Sequence, residues 1–217
     1  MSGKRAEYDA MTSRKERLAM ICSNRPDLDW KPHGVLVATL EEHTSRVTRV
    51  ASSPDTSLMA STSTDGTLRI WDLAKIESGR NTTGNNSFAH RARQVYNRKD
   101  PLAGLAASSH NSNLAFVTRD GSISVLDIEK QGEDKVTSGR SISTEEGSPA
   151  DMVFCDLGHT ALLLYCTSFG HIVGWDPRLR ASEGHAFSFR LGLRHGLTTA
   201  MSVATEETWV AAGTSSG

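Results

Sequence analysis

No apolar run in this chain approaches the roughly eighteen residues that a membrane span requires. The opening stretch, Met1 to Glu7, lacks the apolar core of a secretory signal. Charge of one sign is not in excess: 24 lysines and arginines meet 25 aspartates and glutamates, for a formal net charge of −1. Such a chain has no long-range field to draw in nucleic acid or an anionic membrane. Cysteine is scarce. Cys22, Cys155 and Cys166 make no C-x-x-C pair and no even framework, so they read as free thiols of a reducing compartment. The triplets Asn81-Thr82-Thr83 and Asn85-Asn86-Ser87 are then chance matches to a glycosylation pattern. These absences predict a protein that works inside the cell.

Catalytic signatures are missing as well. Neither a G-x-S-x-G elbow nor a G-x-x-x-x-G-K-[ST] phosphate loop occurs, nor do the glycine-rich loop, H-R-D and D-F-G elements of protein kinases. His90, His110, His159, His171, His185 and His195 show no metal-ligand spacing. Gly213-Thr214-Ser215-Ser216-Gly217 is small and polar, but it follows a strand-and-turn register rather than that of an anion loop. No catalytic residue, cofactor or metal is expected.

What is present is a repeat. In Thr64-Asp65-Gly66-Thr67-Leu68-Arg69-Ile70-Trp71-Asp72, Asp65-Gly66 predicts a tight turn, because glycine tolerates positive φ and aspartate bonds its own backbone. Ser57 to Ser63 and Leu68 to Trp71 then form two antiparallel strands around it. His43 stands 22 residues before Asp65, ahead of a third strand near Val47. Histidine, an Asp-Gly turn and a Trp-Asp ending, in that order, are the signature of a WD40 propeller blade. In such blades His43, Asp65, Trp71 and one of Ser61 or Ser63 are expected to form a buried chain, Trp to Ser to His to Asp. Fully satisfied, that chain locks a blade; it does not catalyse.

Further repeats follow with variations. The second has strands at Leu102–Ala107, Asn113–Thr118 and Ser122–Asp127, with Leu126-Asp127 in place of Trp-Asp. The third has Met152–Phe154, Ala161–Thr167 and His171–Asp176, with Phe169-Gly170 at the turn. The fourth starts at His195, a degenerate counterpart of His43, and continues in Trp209–Ser215. Gly66, Gly121, Gly170 and Gly217 recur at intervals of 55, 49 and 47 residues, near the usual WD40 period. The expected domains are a charged linker over 1–29 and a partial propeller over 30–217. The linker carries the basic cluster Arg14-Lys15-Glu16-Arg17 and a loose apolar face, Tyr8, Met11, Leu18 and Ile21, which suits a docking helix. The repeats fall at about 30–73, 101–128, 151–177 and 195–217, with polar insertions at 74–100 and 129–149. Val35 to Leu40 is expected as a strand in the place of a ring's outermost, closing strand. The fold class is all-β, an incomplete propeller of about three and a half blades. An open arc leaves strand edges unpaired, so the chain alone is expected to be a fragment that oligomerises.

A narrower likeness rests on particular residues. Trp30-x-Pro32-x-Gly34-Val35-Leu36-Val37-Ala38-x-Leu40-x-Glu42-His43 resembles the entry to the propeller of the regulatory subunit of class III phosphatidylinositol 3-kinase, the vacuolar-sorting, protein kinase-like subunit. Asp65 to Trp71 is similar to its first blade, Gly170-x-Ile172-Val173-Gly174-Trp175-Asp176-x-Arg178 to its third, and His195-Gly196-Leu197 with Trp209 and Gly213 to Gly217 to its fourth. The resemblance implies seven blades in the full ring, preceded by a kinase-like domain and helical repeats that match no position here. It implies a non-catalytic scaffold that joins the lipid kinase catalytic subunit to coiled-coil autophagy and sorting subunits. It also implies a cytoplasmic protein, peripheral on endosomal or autophagic membranes through that complex. The alternative is a generic WD40 adaptor, such as a ubiquitin-ligase receptor or an RNA-processing scaffold.

Overall fold

The computed structural model describes residues 38–79, 90–109, 111–129, 136–157, 160–179, 185–192, 196–204 and 209–216. They lie in a unit that runs from Val37 to Gly217. At Asp65-Gly66 the chain reverses as its residue types demand: Gly66 has a φ of 79° and its amide donates to the Ser63 carbonyl at 3.2 Å. The turn joins β2 (Leu58–Ser63) to β3 (Thr67–Asp72), and β1 (Val47–Ser52) pairs with the other side of β2. A fourth strand, β4 (Gln94–Asn97), completes an antiparallel sheet in the order β1-β2-β3-β4. A short helix, α1 (Leu73–Gly79), follows β3.

The second sheet repeats the pattern with β5 (Leu102–Ala107), β6 (Asn113–Thr118), β7 (Ser122–Asp127) and β8 (Val136–Ser141). The third uses β9 (Pro149–Leu157), β10 (Thr160–Thr167), β11 (His171–Trp175) and β12 (His185–Arg190). A two-stranded sheet, β13 (Thr198–Ala204) with β14 (Trp209–Thr214), comes last. Among the described residues, three four-stranded blades and a two-stranded one make a partial β-propeller.

Apolar side chains are shared between successive blades. Ala60, Leu68 and Ile70 of the first meet Leu105, Phe116 and Leu126 of the second. Ala115, Val117, Ile123 and Val125 of the second meet Phe154, Leu163, Tyr165 and Trp175 of the third. Leu164, Cys166 and Ile172 meet Met201, with Val203 and Ala212 packed alongside. Burial pushes the Cys166 thiol up to about 11, so it stays protonated at neutral pH. Asp151 adds a polar tie among inner strands. Its Oδ1 accepts from Arg49 Nη2 of β1 at 3.3 Å, and its Oδ2 from the Met201 amide of β13 at 2.9 Å.

Several expectations need correction. The stretch 74–100 is not only a polar insertion, since it holds most of α1 and all of β4. Likewise 129–149 holds β8, and β12 lies beyond the expected end of the third repeat at 177. In each case the outer edge of a blade's third strand has ladder groups to pair, and a weakly apolar segment pairs them. Of the expected strand at Val35 to Leu40, Ala38 to Leu40 belong to no strand. A strand exists only through a neighbour, and none of the four sheets extends to residues 38–40. Val35 to Val37, the linker 1–29 and His195 lie outside the described residues.

The turn glycines are not equivalent. A Cβ on Gly66 would stand 2.5 Å from the Arg98 carbonyl oxygen, whereas on Gly170 it would meet nothing nearer than Leu191 Cβ at 3.2 Å. Both sit at positive φ, which alone costs an alanine about 1–2 kcal/mol. Urea titration should therefore find Gly66→Ala clearly more destabilising than Gly170→Ala. Equal losses would mean that the backbone approach at Arg98 does not constrain the turn.

Candidate functional site

The residues singled out for a buried chain lie in the first blade. Trp71 Nε1 donates to Ser61 Oγ at 2.8 Å, and Ser61 Oγ lies 2.8 Å from His43 Nε2. His43 Nδ1 is 3.1 Å from Asp65 Oδ2. A carboxylate can only accept, so Nδ1 carries the proton; in the neutral ring Nε2 then accepts from the Ser61 hydroxyl. The pleat brings Ser61 and Trp71 together, because Met59 is the cross-strand partner of Trp71 and Ser61 lies two residues on, on the same face. His43 arrives from the segment before β1. Glu42 fixes that segment, taking Arg69 Nη1 at 2.5 Å and the Ala92 amide at 3.1 Å.

Ser63 is not a member of the chain. Its hydroxyl donates to the Ser45 carbonyl and accepts the Asp65 amide. Thr67, which carries no weight in the repeat signature, is a member. It donates to Asp65 Oδ1 at 2.6 Å, and its oxygen faces His43 Nδ1 at 3.0 Å, sharing that proton. Its signal was available in the sequence, as a hydroxyl two residues after an Asp-Gly turn aspartate.

Burial alone would raise the Asp65 carboxyl. The Thr67 hydroxyl and amide, the Thr44 amide and His43 outweigh it, and hold the group well below the usual carboxylate range. Serine, histidine and aspartate thus stand in the order of a hydrolase triad, but Ser61 is buried and its oxygen is capped by the indole. Its hydroxyl is committed to Trp71 and His43, and the arrangement binds β2, β3 and the segment before β1 together. Among the described residues no group of three histidines, cysteines, aspartates or glutamates is placed to hold a metal.

The other blades fill the same places differently. At the same distances from Gly121, Arg98 replaces His43, Phe116 replaces Ser61, and Leu126 replaces Trp71. There Arg98 lies over the Phe116 ring, 5.4 Å from its centroid, and donates to Ser124 Oγ at 3.3 Å. Counting from Gly170, the tryptophan returns as Trp175, but Tyr165 stands for Ser61 and Gly147 for His43. Arg140 lies over the Tyr165 ring at 5.7 Å. Tyr165 Oη and Trp175 Nε1 are buried without a hydrogen-bond partner. One blade is closed by a polar chain, the next by apolar and cation–π packing, and the third mainly by aromatic bulk. After it, Arg178 forks onto Asp176 with bonds of 2.9 and 2.6 Å.

Residues 34–72 match the WD40 family, described as "WD domain, G-beta repeat", and that span contains His43, Ser61, Asp65 and Trp71. Over 204 residues the chain is 28% identical to the probable serine/threonine-protein kinase vps15 of Dictyostelium discoideum, covering 89% of this chain and 10% of that protein. It is also 28% identical over 208 residues to the serine/threonine-protein kinase VPS15 of Arabidopsis thaliana, covering 88% and 13%. The chain thus carries a WD40 repeat and is similar along most of its length to proteins named Vps15. A putative VPS15 kinase of Komagataella pastoris is similar too, at 23% identity over 87% of this chain and 14% of that one. The chain therefore spans about a tenth to a seventh of the length of these curated relatives. The matched repeat is a non-catalytic domain type, of the class that generally mediates protein–protein contact. A solved structure titled "Structure of U3-55K" superposes with a TM-score of 0.54 at 15% identity, covering 75% of this chain and 44% of that one, which supports the fold alone.

Proposed function

We propose that this chain is a non-catalytic part of the scaffold that organises a class III phosphatidylinositol 3-kinase complex in endosomal sorting and autophagy. The observation that carries the reading is the similarity to VPS15 proteins of three organisms across nearly the whole chain. Blades that present turns and edges, with a triad-like set sealed inside one of them, suit a surface for other subunits. The partners are the lipid kinase catalytic subunit and its coiled-coil sorting and autophagy subunits. The place of action is the cytoplasmic face of endosomal or autophagic membranes, reached through the complex. In a pull-down from lysate with the tagged chain, the lipid kinase and a coiled-coil subunit should be recovered together. Recovery of neither, with the bait folded by circular dichroism, overturns the assignment and favours an unrelated WD40 adaptor.

A further inference from the structure

Cavities open between the blades, and three of them, lined by described residues, differ in charge. One of about 240 Å³ between the first and second blades is lined by Asp55 and Glu129 and has no basic residue. One of about 330 Å³ mixes Arg98 and Lys99 with Asp100 and Asp120, so its charges offset one another. The third, of about 280 Å³, is lined by Arg46 and Arg119 and by no acidic residue.

The third cavity lies where the inner strands begin. Arg46 immediately precedes β1, Pro101 precedes β5, and Ser148 precedes β9, while Thr64 and Arg119 come from the β2–β3 and β6–β7 turns. Both arginines are exposed residues, and among the described residues neither guanidinium is paired with a carboxylate. Arg49, on β1 itself, is by contrast committed to Asp151. The hydroxyls around the cavity are held by their own partners: Thr64 Oγ1 by Ser45 Oγ and the Arg46 carbonyl, and Ser148 Oγ by Ser168. Pro101 and Pro149 bring no N–H to it. The strong free donors are therefore two guanidinia, whose planar forks match an oxyanion.

We propose that this cavity receives an acidic side chain of an extended peptide segment from a protein partner, held between Arg46 and Arg119. The space fits one or two side chains, and a net charge of −1 gives no wider basic surface for a polyanion such as nucleic acid. A carboxylate and a phosphoserine phosphate share the chemistry that the two forks recognise. The proposal rests on the scaffold reading only in taking a protein as the bearer of the anion.

Fluorescence anisotropy with the full 217-residue chain tests it. The probes are a labelled hexaglutamate peptide, a phosphoserine peptide of the same length, and a hexaglutamine control. At least one acidic peptide should bind, and the glutamine peptide should not; which acidic one binds more tightly distinguishes carboxylate from phosphate. Arg46→Glu with Arg119→Glu should weaken binding at least about tenfold, the loss of one charge-assisted contact. Arg46→Lys with Arg119→Lys should retain part of the affinity and shows that the blades tolerate substitution there. Arg93→Glu with Arg190→Glu, a matched charge change at exposed arginines elsewhere, should leave binding unchanged. Binding of neither acidic peptide, equal binding of hexaglutamine, or an equal loss in the Arg93/Arg190 variant overturns the proposal. The pull-down above can succeed under each of these results, so the two readings fail separately.

Discussion

Trp175→Ala should cost about 3–5 kcal/mol, as expected for emptying a buried aromatic site. The indole is almost fully buried in the core between the second and third blades, and its ring lies against Gly139 of β8. A Cβ on Gly139 would stand 2.2 Å from Trp175 Cη2, so neither group has room to yield. Gly139→Ala should then cost about 1–3 kcal/mol by overpacking. The diagnostic result lies in combination. With the indole removed, a methyl at position 139 points into the space it left, so Gly139→Ala in the Trp175→Ala background should be close to neutral. A strongly negative coupling energy from denaturant titration of the four proteins is expected. Additive losses would mean that the two blades do not meet through this pair. Because Trp175 Nε1 has no hydrogen-bond partner, the effect measures packing with little polar contribution.

The second large effect combines a mutation with pH. Asp65→Ala strands the Thr67 and Thr44 amides and His43 Nδ1, and should destabilise by about 1–3 kcal/mol at neutral pH. The carboxyl is held below its ordinary value in the folded chain, so the unfolded chain takes up a proton first as acid is added. The stabilisation from Asp65 is present above roughly pH 4, the ordinary carboxylate range, and is lost as pH falls below it. Asp120 and Asp176 are lowered in the same direction, chiefly by bonds from Thr118 and Arg178, so the parent chain has other acid-sensitive contributions. The gap between the parent and Asp65→Asn should therefore narrow, without vanishing, between about pH 5 and pH 2.5. A gap that stays constant across that range would remove Asp65 as an ionised acceptor in the blade.

The inner three strands of each blade were readable because they carry their own signals. Leu102–Ala107, Asn113–Thr118 and Ser122–Asp127 have the bounds their composition predicts, since buried runs and an Asp-Gly turn leave little freedom of register. The outer strands were not readable. In β4 Gln94, Val95, Tyr96 and Asn97 alternate between half-buried and exposed, and β8 reads Val-Thr-Ser-Gly-Arg-Ser. Nothing in such composition separates them from a polar loop, because the free ladder of the neighbouring strand specifies them. The polar chain was legible in its end members, His43 and Trp71, through the repeat spacing. The choice between Ser61 and Ser63 was not, because both lie on the same face of β2 and only its register against β3 decides which of them is near Trp71. Substitution of Tyr165 and Gly147 into the third blade likewise leaves no trace in the Trp-Asp ending that marks it.

The Asp151 tie has a consequence for how the molecule can open. Apolar cores shared only between successive sheets make a row of units, in which each could loosen at the expense of its two neighbours. Arg49 reaches from the first sheet to the third, and the same carboxylate holds the Met201 amide of the last. Fraying that begins at the β13–β14 hairpin thus removes one of the two partners of a carboxylate that also holds β1. The hairpin and the innermost strand of the first sheet are linked through this one side chain, although they are distant in sequence and share no ladder.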